Sequence, residues 1–306
     1  MKFKIEFLFF QLLKWLILTL PLKSAQRLGA VLGTGGFHLL SSRRKITLDN
    51  LRHAFPEKSE SELNSIAKGA FRNYGITMFE MLWFPNLTET TLRKFVRMNN
   101  LELLIDEYKL GKRMIILSGH FGSWELIMLS IGYFSKISIA MIVQTQSNKY
   151  VNEVVTRHRT LFGNTVVPMG ISVREIIRTL NEGGMVGIAP DQSGAMEGVY
   201  VDFFGRTVAS HQGPAVFALR TNTPLQMGFM IRKADFTYEV VFEKIQTDDL
   251  KEYNDENVLE LTRRHTALLE RYIRLYPDHW LWMHRRWKHT LESVQQEKAA
   301  QRNANA

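Results

Sequence analysis

At 306 residues and 45% hydrophobic composition, the chain has material for one large α/β domain or two small ones, and no Pro/Ser/Gly-rich linker divides its middle. The absence of cysteine excludes a disulfide framework, thiolate metal sites and a cysteine nucleophile. A formal charge of +9 favours an acidic partner, whether nucleic acid, an anionic membrane, a phosphorylated substrate or an acidic carrier protein.

From Phe7 to Leu20 the run FLFFQLLKWLILTL is broken only by Gln11, Lys14 and Thr19, with Lys2 and Lys4 before it and Lys23 and Arg27 after. It matches a secretory apolar region in length but lacks a small-residue cleavage site, so it is read as retained. A bilayer span needs roughly 20 apolar residues. Residues 1–26 are therefore expected to form a membrane-anchoring helix that either spans or lies in the interface, with a core helix as the plainer alternative. The segment RLGAVLGTGGFHLL (27–40) lacks the Lys-Ser/Thr of a phosphate loop, so its glycines read as a turn or as close helix packing.

From Ser41 to about Glu80 the pattern is helical, with Leu63, Ile66, Ala67, Ala70 and Phe71 at helical spacing after a Ser59 or Ser61 cap. Short apolar runs follow at 113–118, 137–144, 165–169 and 185–191, separated by helical stretches. That alternation predicts βαβ units. The fold class is α/β: a mainly parallel mixed sheet flanked by helices, with an N-terminal membrane-associated helix. Further strands are expected at 199–204, over PLQMGFMIRK and at 236–246, the last two as an antiparallel pair. A helix over DENVLELTRRHTALLERYIRLYP completes a catalytic domain assigned to 27–290. Residues 291–306 are expected to form a polar tail, helical at first and then frayed.

One stretch carries chemistry. In LSGHFGSWELIML, His120 and Glu125 are five apart, which puts them about 140° apart on a helix and on opposite faces of a strand. They converge only across a turn. The sequence supplies one: a strand ending near Gly119, a loosened backbone at Gly122, a possible cap at Ser123 and a helix from Trp124. His120 then stands at the carboxyl end of a parallel strand, where open α/β sheets place ligands. A neutral imidazole takes a proton from a hydroxyl, and a carboxylate fixes its tautomer. With no nucleophile at fixed spacing, the substrate supplies the nucleophile.

His120-Phe-Gly-Ser-Trp-Glu125 resembles the H-x4-(D/E) motif of glycerolipid-type acyltransferases, and in particular the bacterial lipid A biosynthesis (late or secondary) acyltransferases of the lauroyl/myristoyl type. Matching features run in order from RRKITLDNLRHAFPE through Arg157 and Arg159, Asp191-Gln192, Phe203-Phe204-Gly205 and Gly213 to WLWMHRRWK. Ser123 departs from the usual Asn of that motif, and Asp202 from a Pro common before the double Phe. The resemblance implies transfer of a fatty acyl chain from acyl carrier protein to a hydroxyl of a lipid A precursor, at the cytoplasmic face of the inner membrane. It implies His120 as general base, Glu125 as its orienting partner, and Arg159 and Asp191 as further active-site residues. Gln192, Gly205, Arg206, Arg285 and Arg286 are candidate contacts to the anionic substrate. The implied partners are acyl carrier protein, a phosphorylated glycolipid and a membrane, with no nucleic acid, no metal and no cofactor beyond the carrier-bound donor. Two other readings of the same residues stay open: acylation of a glycerophospholipid or another glycolipid, and hydrolysis by an activated water.

Overall fold

A computed structural model describes residues 1–170 and 172–296. The chain opens with α1 (Lys2–Leu18), α2 (Leu22–Leu39), α3 (Ser41–Ala54) and α4 (Glu60–Trp83), followed by α5 (Glu89–Phe95), β1 (Val96–Met98) and α6 (Leu101–Gly111). An alternating series continues with β2 (Met114–Leu117), α7 (Trp124–Ser135), β3 (Ile139–Val143), α8 (Lys149–Arg159), β4 (Thr165–Pro168), α9 (Ser172–Asn181) and β5 (Met185–Ile188). A hairpin of β6 (Val199–Phe203) and β7 (Arg206–Ser210) precedes α10 (Gly213–Thr221), β8 (Leu225–Arg232), β9 (Tyr238–Ile245) and α11 (Asp255–Leu275).

The helical stretch expected from Ser41 onward is two helices. Phe55 precedes Pro56, and the residue before a proline is pushed out of the helical region, so α3 stops there. Ser59 then starts α4 in a reciprocal cap, its hydroxyl accepting from the Glu62 backbone N–H while the Glu62 carboxylate accepts from Ser59 N–H at 2.9 Å. Gly29 and Gly33 of α2 serve close packing rather than a turn. A Cβ on Gly29 would stand 2.7 Å from the carbonyl oxygen of Gly75, and one on Gly33 would collide with the carbonyl of Phe71, so α2 and α4 touch backbone to backbone.

The main sheet has seven strands in the order β1-β9-β8-β2-β5-β3-β4, parallel throughout except for the antiparallel β8–β9 pair. Successive residues of β2 alternate between two cores. Ile115 and Leu117 face a cluster with α3, α4, α9, α10 and α11, while Met114 and Ile116 face one with α5, α6 and α7. Segment 199–204, expected as another strand, lies outside that sheet in the separate β6–β7 hairpin. A short helical segment covers 291–296; the expected fraying beyond it falls outside the described residues.

The expected N-terminal anchor needs one correction. Among the described residues no helix is long and apolar enough to cross a membrane. α1 has 17 residues, about 26 Å at 1.5 Å per residue against a hydrocarbon core of about 30 Å, and it carries Lys2, Lys4, Glu6 and Lys14. It lies on the protein by one side, through Ile17 and through Phe7 against Tyr150 of α8, while Phe9 and Trp15 remain 68% exposed.

Candidate active site

The strand-to-helix turn after β2 is built as the residue types require. Gly122 has φ +58°, and a Cβ there would run into the carbonyl oxygen of Met230, so glycine is needed on both counts. The turn is held from outside: Gly122 N–H donates to His279 O at 2.9 Å, and its carbonyl accepts from the Thr77 hydroxyl at 2.9 Å. Ser123 occupies the N-cap position of α7 but caps no backbone group; its hydroxyl donates to the buried Glu80 carboxylate at 2.8 Å.

His120 stands at the carboxyl end of β2. Its neighbour in the sheet is β5, in the register Leu117↔Ile188, so the residues three beyond each strand end, His120 and Asp191, meet at the same edge. Asp191 Oδ1 lies 2.8 Å from His120 Nδ1, and Oδ2 accepts from the His120 backbone N–H at 2.8 Å and from the Trp280 indole N–H at 2.8 Å. Burial alone would raise the pKa of Asp191, which is 3% exposed, but the facing imidazole and these hydrogen bonds hold it well below the ordinary carboxylate range. Burial would lower the pKa of His120; the Asp191 charge, with a smaller contribution from Glu125, overrides it and raises the imidazole above its usual value. An ionised Asp191 places the proton on Nδ1 and leaves the Nε2 lone pair toward the cavity.

Glu125 is not the orienting partner. Both of its oxygens accept from Arg159, Nε at 2.8 Å and Nη2 at 2.5 Å, in a bidentate pair whose side chains are 10% and 14% exposed. The reason is directional: α7 starts at Trp124, so Glu125 sits in its first turn and points to the end of α8, while the sheet delivers Asp191 to the imidazole. Both residues of the motif still line one cavity of ≈ 250 Å³, with Arg159 and Gln192. Met128, Met141, Ile142, Val143 and Ile188 supply apolar lining to the same cavity. Gln192 Nε2 lies 3.4 Å from His120 Nε2, at the outer limit of a hydrogen bond.

The remaining candidates separate. Gly205 and Arg206 are exposed at the β6–β7 turn and border a different hollow with Thr290 and Glu292. Arg285 is exposed beside Lys45 and Lys288 around a cleft of ≈ 390 Å³. Arg286 is corrected outright: it is 2% exposed, donates to Ala209 O at 2.7 Å and Ser210 Oγ at 2.6 Å, and burial lowers its pKa to about 10. It ties the C-terminal segment to β7 and is closed to substrate. Among the residues at the site not singled out for it by sequence are His211, which lines the cavity, and Trp280. His211 follows the end of β7 and carries no local pattern; Trp280 belongs to a tryptophan-rich stretch whose aromatics look equally suited to packing.

A family model described as bacterial lipid A biosynthesis acyltransferase matches residues 3–289. The chain is 27% identical over 279 residues to the lipid A biosynthesis palmitoleoyltransferase of Escherichia coli (strain K12), covering 90% of this chain and 88% of that protein. It is 25% identical over 287 residues to the lipid A biosynthesis lauroyltransferase of the same strain, covering 92% and 90%. A lipid A biosynthesis acyltransferase of Shigella flexneri is likewise 27% identical over 279 residues.

Proposed function

The chain belongs to the bacterial lipid A biosynthesis acyltransferases, and from that premise we propose that it moves a fatty acyl chain from acyl carrier protein to a hydroxyl of a lipid A precursor, with His120 as general base. The observation that carries this reading is the His120–Asp191 pair beside a cavity that His120 lines together with Met128, Met141, Ile142 and Ile188.

In this mechanism Nε2 of His120 takes the proton of the acceptor hydroxyl as its oxygen bonds to the thioester carbonyl carbon. Asp191 stabilises the imidazolium. The negative charge gathers on the former carbonyl oxygen; Gln192 and the N-terminus of α7 are the donors available to it. Collapse breaks the C–S bond, the new ester remains on the acceptor, and the leaving thiolate takes the proton from the imidazolium. Met128, Met141 and Ile142 suit the hydrocarbon chain. The Glu125–Arg159 pair walls the cavity and keeps α7 and α8 in register. Lys45, Arg285 and Lys288 suit an acidic carrier or phosphorylated sugar. α1 lies in the interface of the inner membrane on its cytoplasmic side, its exposed Phe9 and Trp15 in the headgroup region.

The test uses purified protein, a carrier-linked acyl thioester and a lipid A precursor, with products read by mass spectrometry. Acceptor mass should rise by one acyl group, and His120→Ala should lower the rate by about 10²–10⁴ without unfolding the protein. Fatty acid released equally with and without acceptor would identify a hydrolase, and full activity in His120→Ala would remove His120 as the base.

A further inference from the structure

We propose that the indole N–H of Trp280 is a positioning group for the reaction, fixing the Asp191 carboxylate in the one orientation that presents Oδ1 to His120. The inference rests on the reading of His120 as the base. Asp191 is 3% exposed, so water does not reach its free lone pairs. Without the indole, Oδ2 would keep a single donor, the backbone N–H of His120, and only two hydrogen bonds would resist turning of the carboxylate about its Cβ–Cγ bond. With the indole at 2.8 Å from Oδ2 and the imidazole at 2.8 Å from Oδ1, that rotation breaks three bonds together.

The placement of Trp280 is not an accident of packing. Its segment pairs with the motif loop as a short antiparallel ladder: Gly122 N–H donates to His279 O at 2.9 Å, Leu281 N–H donates to His120 O at 3.0 Å, and Phe121 bridges Trp280. The backbone that holds His120 and the side chain that holds Asp191 therefore come from adjacent residues of one segment. The ring is itself fixed, 2% exposed and edge-on to Trp282 with centroids 4.7 Å apart. Tryptophan suits this task because its single polar atom only donates, on a rigid body.

A purely structural role predicts that only ring shape matters. Replacing Trp280 with 3-benzothienylalanine keeps the shape and puts sulfur where the N–H was. The expected result is a folded enzyme with kcat lower by about 10-fold or more, the size of effect seen when partners behind a functional group are removed, and KM little changed. Its acid limb should move to higher pH, because a carboxylate relieved of the indole stabilises the imidazolium more strongly. Trp280→Phe should shift both in the same direction. In the unsubstituted protein the ¹⁵N-indole resonance of Trp280 should follow the titration of the His120 ring and cease to do so in His120→Ala. Unchanged kcat and acid limb in the isosteric variant, or an indole resonance flat while His120 titrates, overturns the inference. If His120→Ala is inactive in the same series, only the role of Trp280 falls; if it is active, the base assignment itself fails.

Discussion

Substituting Asp191→Asn tests the site at the point where geometry and protonation are joined. The amide has the volume of the carboxylate, so the surrounding core is kept. It offers one acceptor where Asp191 supplies oxygens to three donors: His120 Nδ1, His120 N–H and the Trp280 indole. If the amide oxygen keeps the backbone and indole donors, its NH₂ faces Nδ1, and the imidazole must move its proton to Nε2. If it is turned the other way, the NH₂ opposes two N–H groups in a buried place. The first arrangement leaves fewer donors unpaired, each of which costs about 1–3 kcal/mol when buried, so the wrong tautomer is favoured. A base whose lone pair faces away from the substrate contributes nothing. The expected loss in kcat is about 10³-fold, which is about 4 kcal/mol at 1.36 kcal/mol per decade.

The assay is acyl transfer from the carrier thioester between pH 5 and 9. With His120 as the proposed base, active when neutral and with its pKa raised, activity should fall as pH drops through that raised value. Asp191→Asn removes the charge that raises it, so the residual activity should persist to lower pH. A folded Asp191→Asn enzyme within about 10-fold of the unsubstituted rate, with its acid limb unmoved, would refute the assignment of Asp191 as partner of the base.

Two further outcomes follow from the helices before the sheet. Gly33→Ala should lower the melting temperature, because its Cβ has no room against the Phe71 carbonyl and α2 must part from α4; by the scale of overpacked cores the cost is about 1–3 kcal/mol. Gly35→Ala, two residues on in the same helix with nothing within 4 Å, should be neutral or stabilise by up to about 1 kcal/mol. On α1, replacing exposed Phe9 and Trp15 by Glu should weaken sedimentation with anionic vesicles while transfer to a detergent-solubilised acceptor is kept. Vesicle binding unchanged by both substitutions would place the membrane contact elsewhere.

Much of the site was legible because it is local. A strand, a glycine turn and a helix start within thirteen residues place His120 at the carboxyl end of a strand, and Gly122 with its positive φ shows why that residue type stands there. Periodicity likewise located β2, β3, β4 and β5 and the antiparallel β8–β9 pair. The family motif pointed to Glu125 as the partner of the histidine; the structure gives that place to Asp191, 71 residues beyond His120. Arg286 looked like an exposed cation in a basic run and is instead enclosed by β7 and the ring of Phe203. β1, three residues long, is too short for a period to show.

The sequence by itself determined the α/β class, the carboxyl-edge position of His120 and the family, because periodicity, turn chemistry and motif order are properties of neighbouring residues. Tertiary structure alone decided which acid serves the imidazole. His120 and Asp191 meet because β2 and β5 are adjacent in register, and strand adjacency is set by how the helices cover the two faces of the sheet. It also closed Arg286 off from solvent and brought Trp280 onto Asp191, since both depend on where a segment more than sixty residues beyond β7 returns to pack.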